Sequence, residues 1–229
     1  MVCGIHQLHY LPWLRYFDKI ARSNVFVVLD NIQYNKNGWQ NRNKIKAANG
    51  ALLLTVPVHA PLGCTLDNVT VDNTQPWRKK HWSAIEQNYR RAPYFADHAP
   101  FLNSTYKREW LSLNELNRHM LEYFIHVLGI QTRVVYASGV DAPGIATDRL
   151  INLIRAVGAD SYYSGAYAIG QYLDTARLES EKIALKLQDW RAPVYPQFHA
   201  PFVPDLSIVD LLMHCGPNSL DVILGKAGV

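Results

Sequence analysis

The amino-acid sequence predicts a three-layer α/β fold, in which a largely parallel sheet carries helices on both faces and a β-hairpin is inserted. Short apolar runs typical of buried strands alternate along the chain with segments whose apolar residues recur at helical spacing. Two separate stretches have the order strand, helix, strand, which favours parallel pairing through a crossover helix. One Asn-Gly pair between two strand-like segments predicts the hairpin.

The first 29 residues contain the first strand-helix-strand unit. Residues 1–7 form a short apolar run that predicts a buried strand. Pro12 follows where a first helical turn tolerates proline, and residues 25–29 are apolar and rich in β-branched types, as in an interior parallel strand. Between them an apolar stripe predicts a helix, formed by Leu14, Phe17, Ile20 and Ala21.

The hairpin and a helical segment come next. Residues 40–46 and 51–58 flank Asn49-Gly50, and Pro57 requires the second arm to end or to lie on an edge. Helical spacing then recurs over residues 76–92 and again from Leu113 to a cap at Gly129. We therefore expect one domain over residues 1–229 with a helical sub-region at about residues 76–128.

The remaining chain repeats the alternation. A strand at 132–137, a helix at 146–157 and a strand at 161–164 make the second strand-helix-strand unit. Further elements are predicted at 176–182 (helix), 183–187 (strand) and 207–215 (helix). Ser207 is a good N-cap for the last helix, and Asp210 at its third position resembles a capping box.

Composition narrows the class of partner. A chain that is 48% hydrophobic and 18% charged belongs to a folded globular protein. The net charge of +4 suits an anionic small molecule and is too small to indicate nucleic acid. Three widely spaced cysteines without a secretory signal predict a reduced, cytoplasmic protein, and no apolar run is long enough for a transmembrane helix.

Two histidines, a glutamine and a carboxylate follow the ends of the first two strands. His6, Gln7 and His9 come at the end of the first strand, and Asp30 follows the second. Ligands of open α/β sheets bind beyond the carboxyl ends of strands, and a histidine there can act as a general base. His6, His9 and Asp30 are therefore the catalytic candidates, although a structural histidine or an Asx turn at Asp30 explains each residue alone.

The spacing Cys3-x-x-His6-x-x-His9 resembles a metal site. In a strand, however, positions 3 and 6 point to opposite faces, and Cys64 and Cys215 complete no recognised ligand spacing. We therefore predict no metal site.

The first hairpin arm alternates polar residues. Trp39, Asn41 and Asn43 should face one way, and the other face should carry Gln40, Arg42 and Lys44. Arg42 with Lys44 could hold a diphosphate, because a guanidinium binds phosphate through two bonds and lysine adds a charge. An exposed two-sided hairpin would have the same pattern.

A second set of polar residues follows the strand at 161–164. Ser164-Gly165 and the nearby Tyr167 offer hydroxyls and room for close backbone approach. No dinucleotide-binding glycine motif and no P-loop is present.

Several motifs resemble the WbqC-like protein family over nearly the full length. They are His6-Gln7-x-x-Tyr10-Leu11-Pro12-Trp13, Phe17-Asp18-Lys19-Ile20, Asp30-Asn31-Ile32-Gln33-Tyr34, Trp39-Gln40-Asn41-Arg42-Asn43-Lys44-Ile45-Lys46, Ser164-Gly165, Tyr172-Leu173, Tyr195-Pro196-Gln197 and Leu206-Ser207-Ile208-Val209-Asp210-Leu211-Leu212. His9 stands where asparagine is common in that family, and residues 165–170 replace a segment richer in glycine and charge.

The resemblance implies a role in O-antigen or other polysaccharide biosynthesis, or in a natural-product pathway. It implies transfer of glycine or a similar acyl group to an amino sugar, nucleotide sugar or related small amine. Acyl-CoA, an acyl carrier or an aminoacyl compound would be the donor, and an acyl or peptidyl carrier protein the protein partner. The substrate-binding candidates are Gln7, Tyr10, Trp13, Gln33, Trp39, Asn41, Arg42, Lys44, Ser164 and Tyr167.

Two other functions remain open from sequence. A nucleotidyltransferase would place His6 and His9 on phosphates and would use a nucleoside triphosphate with Mg²⁺. A noncatalytic sugar-binding module would use the chain's thirteen tyrosines and six tryptophans as stacking surfaces.

Overall fold

The computed structural model describes residues 1–226 and confirms the α/β class, with a five-stranded parallel sheet flanked by helices and a separate antiparallel hairpin. In chain order, the strands of this part are β1 (Val2–Gln7), β2 (Val25–Leu29), β3 (Arg42–Ala47), β4 (Gly50–Thr55), β5 (Val58–His59), β6 (Thr70–Val71), β7 (Arg133–Tyr136), β8 (Ser161–Gly165) and β9 (Ala184–Gln188).

Over the described residues the helices are α1 (Leu14–Ala21), α2 (Trp77–Tyr89), α3 (Phe95–Lys107), α4 (Leu113–Val127), α5 (Ala146–Ala156), α6 (Thr175–Ser180), α7 (Ile208–Cys215) and α8 (Ser219–Ile223). Six of these helices lie close to the segments predicted for them, and two more, α3 and α8, are additions. None of these helices has the length and apolar character needed to cross a membrane.

The chain divides into two compact units. Unit 1 contains residues 1–8, 15–32 and 130–191, and unit 2 contains residues 9–14, 33–129 and 192–229, of which 227–229 lie outside the described residues. Unit 1 carries the parallel sheet, and unit 2 carries both antiparallel strand pairs and helices α2, α3 and α4. The single domain expected from sequence stays a prediction.

The sheet of unit 1 has the strand order β7-β2-β1-β8-β9, and all four neighbouring pairs are parallel. The first strand in sequence is therefore central. The next two sheet strands extend the sheet on one side and the last two on the other, so the direction of winding reverses between β1 and β8. This is the arrangement of doubly wound α/β folds.

Different helices cover the two faces of this sheet. Cys3 and Ile5 of β1 and Val25 and Val27 of β2 belong to a buried cluster that also contains Leu150, Ile151, Leu153 and Ile154 of α5. The residues between them face α1, where the Tyr16 ring lies 5.4 Å from the Phe26 ring. Strand alternation thus separates the two helix layers, as the apolar runs predict.

Gly4 lets α1 approach the central strand closely. A Cβ atom at Gly4 would lie 2.4 Å from Ser23 Oγ and 2.9 Å from the Phe26 ring. Ser23 cannot easily move away, because its hydroxyl donates a hydrogen bond of 2.7 Å to the Lys19 carbonyl. Glycine is therefore required here by packing and not by backbone conformation.

Unit 2 contains a helix that the sequence patterns do not predict separately. Helix α3 has Pro100 in its interior, where proline removes one backbone hydrogen bond and usually breaks a helix. Four side chains of α3 are nevertheless buried, namely His98, Leu102, Thr105 and Tyr106. Tertiary burial therefore outweighs the local cost, which no local pattern reveals.

The capping interpretation at α7 is confirmed for Ser207 and wrong for Asp210. The Ser207 side chain accepts a hydrogen bond from the Val209 amide. Asp210 is fully buried and accepts hydrogen bonds from Tyr89 (2.7 Å), Tyr195 (2.9 Å) and Gln197 (2.8 Å). Burial raises the pKa of this carboxyl, and its three partners join α2 and the loop before α7 to α7 itself.

We predict that Gly4→Ala lowers the unfolding free energy by roughly 1–3 kcal/mol, because an added methyl group overpacks the contact with α1. Urea denaturation measures the change. Gly139→Ala is the matched control, since a Cβ atom there meets no atom within 4 Å. Equal stability of the two variants would contradict the close approach of α1.

Candidate functional site

The candidate site of unit 1 lies at the carboxyl ends of β1 and β8. His6 and Gln7 end β1, and Ser164 and Gly165 end β8. The two strands pair in parallel with Gly4 opposite Tyr163, and continuing this register brings His6 level with Gly165. Since the winding direction reverses between these strands, this is the edge where doubly wound folds bind ligands.

His6 is half-buried and held by its neighbours. Its ring lies 4.9 Å from the Tyr16 ring in an edge-on contact, and its Nδ1 atom lies 3.2 Å from the Gln7 carbonyl oxygen. A carbonyl only accepts hydrogen bonds, so this contact requires Nδ1 to carry the hydrogen. The lone pair of the neutral ring is then on Nε2, which is the form that a general base needs.

Asp30 follows the end of β2, the strand that pairs with β1. Its side chain has no exposed surface, and its oxygens accept hydrogen bonds from the Ser138 amide (2.8 Å) and hydroxyl (2.7 Å). Ser138 lies in the short turn after β7, the strand that pairs with β2. Asp30 therefore fixes the loop ends of β2 and β7, and its catalytic role stays a prediction.

The β8 side of this edge is open. A Cβ atom on Gly165 would meet no atom within 4 Å, and Tyr167 in the following turn is 80% exposed. Gln7 is also exposed, whereas Ser164 is buried and donates to the Gly165 carbonyl at 3.3 Å. Gln7 and Tyr167 are thus accessible to a ligand, and Ser164 shapes the backbone beneath them.

In unit 2, four of the predicted site residues form a series of side-chain contacts. The His9 ring lies 5.0 Å from the Trp13 ring, and the Trp13 ring lies 5.2 Å from the Trp39 ring. Lys44 Nζ lies 5.6 Å from the centre of the Trp39 ring, within cation-π distance. Sequence alone did not connect the first motif with the hairpin in this way.

The hairpin faces follow the predicted alternation only within β3. Asn43 is buried, Arg42 is half-buried with a 3.1 Å bond to Asn37, and Lys44 is exposed. Gln40 was expected beside Arg42 and Lys44 and this is wrong, because it is fully buried and its side-chain oxygen accepts from the Asn35 amide. The chain bends before β3 begins, so strand alternation does not extend back to Gln40.

Asn41 and Gln33 also lie within unit 2. Asn41 is buried and its amide donates to the Val56 carbonyl at 2.8 Å, which ties the start of β3 to the end of β4. Gln33 is exposed and forms an isolated bridge with Thr65. The Asn41 donor is therefore engaged within the hairpin, whereas the Gln33 side chain faces solvent.

Tyr10 belongs to a buried hydrogen-bonded chain that sequence reasoning missed. Its hydroxyl lies 2.6 Å from the Tyr106 hydroxyl and 2.8 Å from His81 Nδ1. The Tyr10 hydroxyl thus links Tyr106 to His81 in one buried chain of hydrogen bonds. In the segment predicted as a helix over residues 76–92, His81 lies midway between Trp77 and Ile85 at helical spacing, and a histidine among these apolar positions was the available signal.

Cysteine and metal chemistry find no support at these residues. Cys3 is fully buried, and burial raises the pKa of its thiol to about 12, so that it stays protonated at neutral pH. Across residues 1–226, no three histidine, cysteine or acidic side chains are grouped as metal ligands.

We predict that stability falls as the pH decreases from 6.5 towards 4. Burial lowers the pKa of His81 from 6.5 to about 4. Between these pH values the imidazole is protonated in the unfolded chain and neutral in the folded chain, so proton binding favours unfolding. The gap corresponds to about 3 kcal/mol. In urea denaturation across this range, His81→Asn should flatten the pH dependence, whereas His126→Asn on the exposed surface should not. Unchanged pH dependence in the first variant would contradict this role of His81.

Two comparisons with known proteins bear on identity. The model of the WbqC-like protein family matches residues 7–222. The chain is 36% identical over 228 residues to the uncharacterized protein Rv1507c of Mycobacterium tuberculosis (strain ATCC 25618 / H37Rv), covering 96% of each chain. No solved structure matches. On the extent of both matches, the chain belongs to the WbqC-like protein family.

Proposed function

We propose that the protein is a transferase that moves an acyl or aminoacyl group onto the amine of a small sugar-like acceptor. The observation that carries this proposal is the position of the His6 imidazole at the carboxyl end of the central strand. It lies where the winding of the sheet reverses and a ligand-binding edge is expected. The glycyl group named by the family resemblance is one example of the acyl group.

The reaction needs one proton transfer and one exchange of bonds at the acyl carbon. The acceptor amine forms the new C–N bond while His6 Nε2 takes its proton. The bond from the acyl carbon to the donor's leaving group then breaks, and the leaving group departs with the electron pair. His6 can return the proton to it, so the histidine ends in its starting form.

The neighbours of His6 have supporting roles in this scheme. The exposed Gln7 amide can donate to the oxygen that becomes negative in the transition state. Asp30, through Ser138, keeps the loop edge rigid around the histidine. Orientation of the reactants can supply much of the rate enhancement, since an unprotonated amine attacks without a covalent enzyme intermediate.

Nucleotidyl transfer is the second candidate. It is favoured by the two cations on β3, the half-buried Arg42 and the exposed Lys44, since guanidinium and ammonium groups suit a diphosphate. The β1–α1 turn contains no glycine-rich phosphate loop, which weighs against it.

Ligand-induced stabilisation distinguishes the two reactions. A compound that binds the folded chain at 100 times its Kd stabilises it by about 2.7 kcal/mol, which raises Tm measurably. We expect acyl-CoA or aminoacyl donors and amino sugars to raise Tm, and nucleoside triphosphates with Mg²⁺ to leave it unchanged. If nucleoside triphosphates with Mg²⁺ raise Tm and the acyl donors and amino sugars do not, nucleotidyl transfer would become the better-supported function.

With a donor and acceptor from that screen, we expect His6→Gln to reduce kcat by roughly 10²-fold or more, because glutamine fills the space without accepting the proton. The fold should persist, since His6 is only half-buried. His126→Gln on the exposed face of α4 is the control and should retain full turnover. A fully active His6→Gln enzyme would remove His6 from the mechanism.

A further inference from the structure

A cavity of about 670 Å³ lies in unit 2, beside the start of α2 and the end of α3. All of its lining residues belong to unit 2, and none takes part in the acyl transfer proposed above. Its volume falls in the range of small-molecule sites, which is roughly 300–1,000 Å³.

Three cations converge on this cavity. Arg78 and Lys79 come from the first turn of α2, and Lys107 is the last residue of α3. Among the described residues that line the cavity, none is acidic. Three positive groups around one space repel one another, and an anion in the cavity would relieve that repulsion.

The position of these cations is set by packing as well as by sequence. Arg78 donates to the Lys107 carbonyl at 3.3 Å and lies 3.8 Å from Glu109, so its guanidinium is held between the two helices. Lys79 and Lys107 are exposed and can reach a ligand. The cations at the start of α2 oppose the helix dipole, and a bound anion there would offset this unfavourable interaction.

The turn before α2 contributes polar residues to the cavity lining. Asp72 accepts hydrogen bonds from the Thr74 amide (3.0 Å) and from the Gln75 side chain (2.9 Å), which fixes the turn before α2. Asn73 in this turn donates to the Trp110 carbonyl at 2.7 Å, and its side-chain oxygen is a buried acceptor without a protein partner. Asn73, Thr74 and Gln75 all belong to the cavity lining.

An aromatic ring and a second amide complete the lining. Trp82 presents an indole to the cavity and is stacked on Phe95 at 6.2 Å, and Asn103 adds an amide from α3. Indole faces pack against sugar rings while amides bind their hydroxyls. The cavity thus combines a cationic end with a surface suited to a hydroxylated ring.

We propose that this cavity binds a sugar phosphate or a closely related phosphorylated polyol. The phosphate would lie against Arg78, Lys79 and Lys107, and the hydroxylated part would lie against Asn73, Trp82 and Asn103. Three cations are enough to neutralise the double negative charge of a phosphate monoester, and the cavity volume exceeds what phosphate alone fills.

Calorimetric titration of the full chain tests the proposal with four probes, which are glucose 6-phosphate, glucose, inorganic phosphate and adenosine 5′-monophosphate. We expect glucose 6-phosphate to bind more tightly than the other three, and its affinity to fall as salt increases. Equal binding of glucose and glucose 6-phosphate would overturn the anion site, and preference for the nucleotide would overturn the sugar assignment.

Two neighbouring lysines give a matched pair of variants. Lys79→Gln should weaken glucose 6-phosphate binding about tenfold, the scale of one lost charged hydrogen bond. Lys80→Gln, also exposed but outside the cavity lining, should leave the affinity within twofold. Both variants should melt like the parent protein, and equal effects of the two substitutions would place the ligand elsewhere.

Discussion

The parallel pairing of β1 with both β2 and β8 is the constraint on which the rest of unit 1 depends. A strand in this position is covered on both faces, so its residues must satisfy two helix layers at once. Cys3 and Ile5 pack towards α5, and Gly4 admits α1 at a distance that any side chain would prevent. The same pairing places His6 at the exposed end of the strand, next to the open backbone of Gly165.

Buried polar groups organise both units, each by an interaction between distant parts of the sequence. Asp30 and Ser138 join two loop ends in unit 1. In unit 2, the Tyr10 hydroxyl is hydrogen-bonded to Tyr106 and His81. The Asp210 side chain accepts hydrogen bonds from two tyrosines and a glutamine. A buried polar group without a partner is costly, so each of these interactions favours one arrangement of loops over its alternatives. Because these buried groups must keep their hydrogen-bond partners, the loop ends at Asp30 and Ser138 and the segment at Tyr10 are held in place.

The parts that could be predicted from sequence are those governed by local periodicity. The strands of the sheet and the hairpin follow from apolar runs and from Asn49-Gly50, because these signals depend on neighbours within a few residues. Helix α3 and the burial of Gln40 could not be predicted in this way. Pro100 argues locally against a helix, and strand alternation argues for an exposed glutamine. Burial of four side chains decides the first, and the second depends partly on Asn117, 77 residues away, whose side chain donates to the Gln40 carbonyl.

The features of the candidate sites also divide into those set by local sequence periodicity and those set by tertiary contacts. The sequence itself determined that His6 and Gln7 end a buried strand and that Arg42 and Lys44 share one face of β3. These features follow from the period of two along a strand, which needs no tertiary information. Only the tertiary structure decided that β8 lies beside β1, that Asp30 bonds to Ser138, and that Arg78, Lys79 and Lys107 surround one cavity. These relations join segments far apart in the chain, and their geometry depends on how helices and strands pack, which no short sequence pattern encodes.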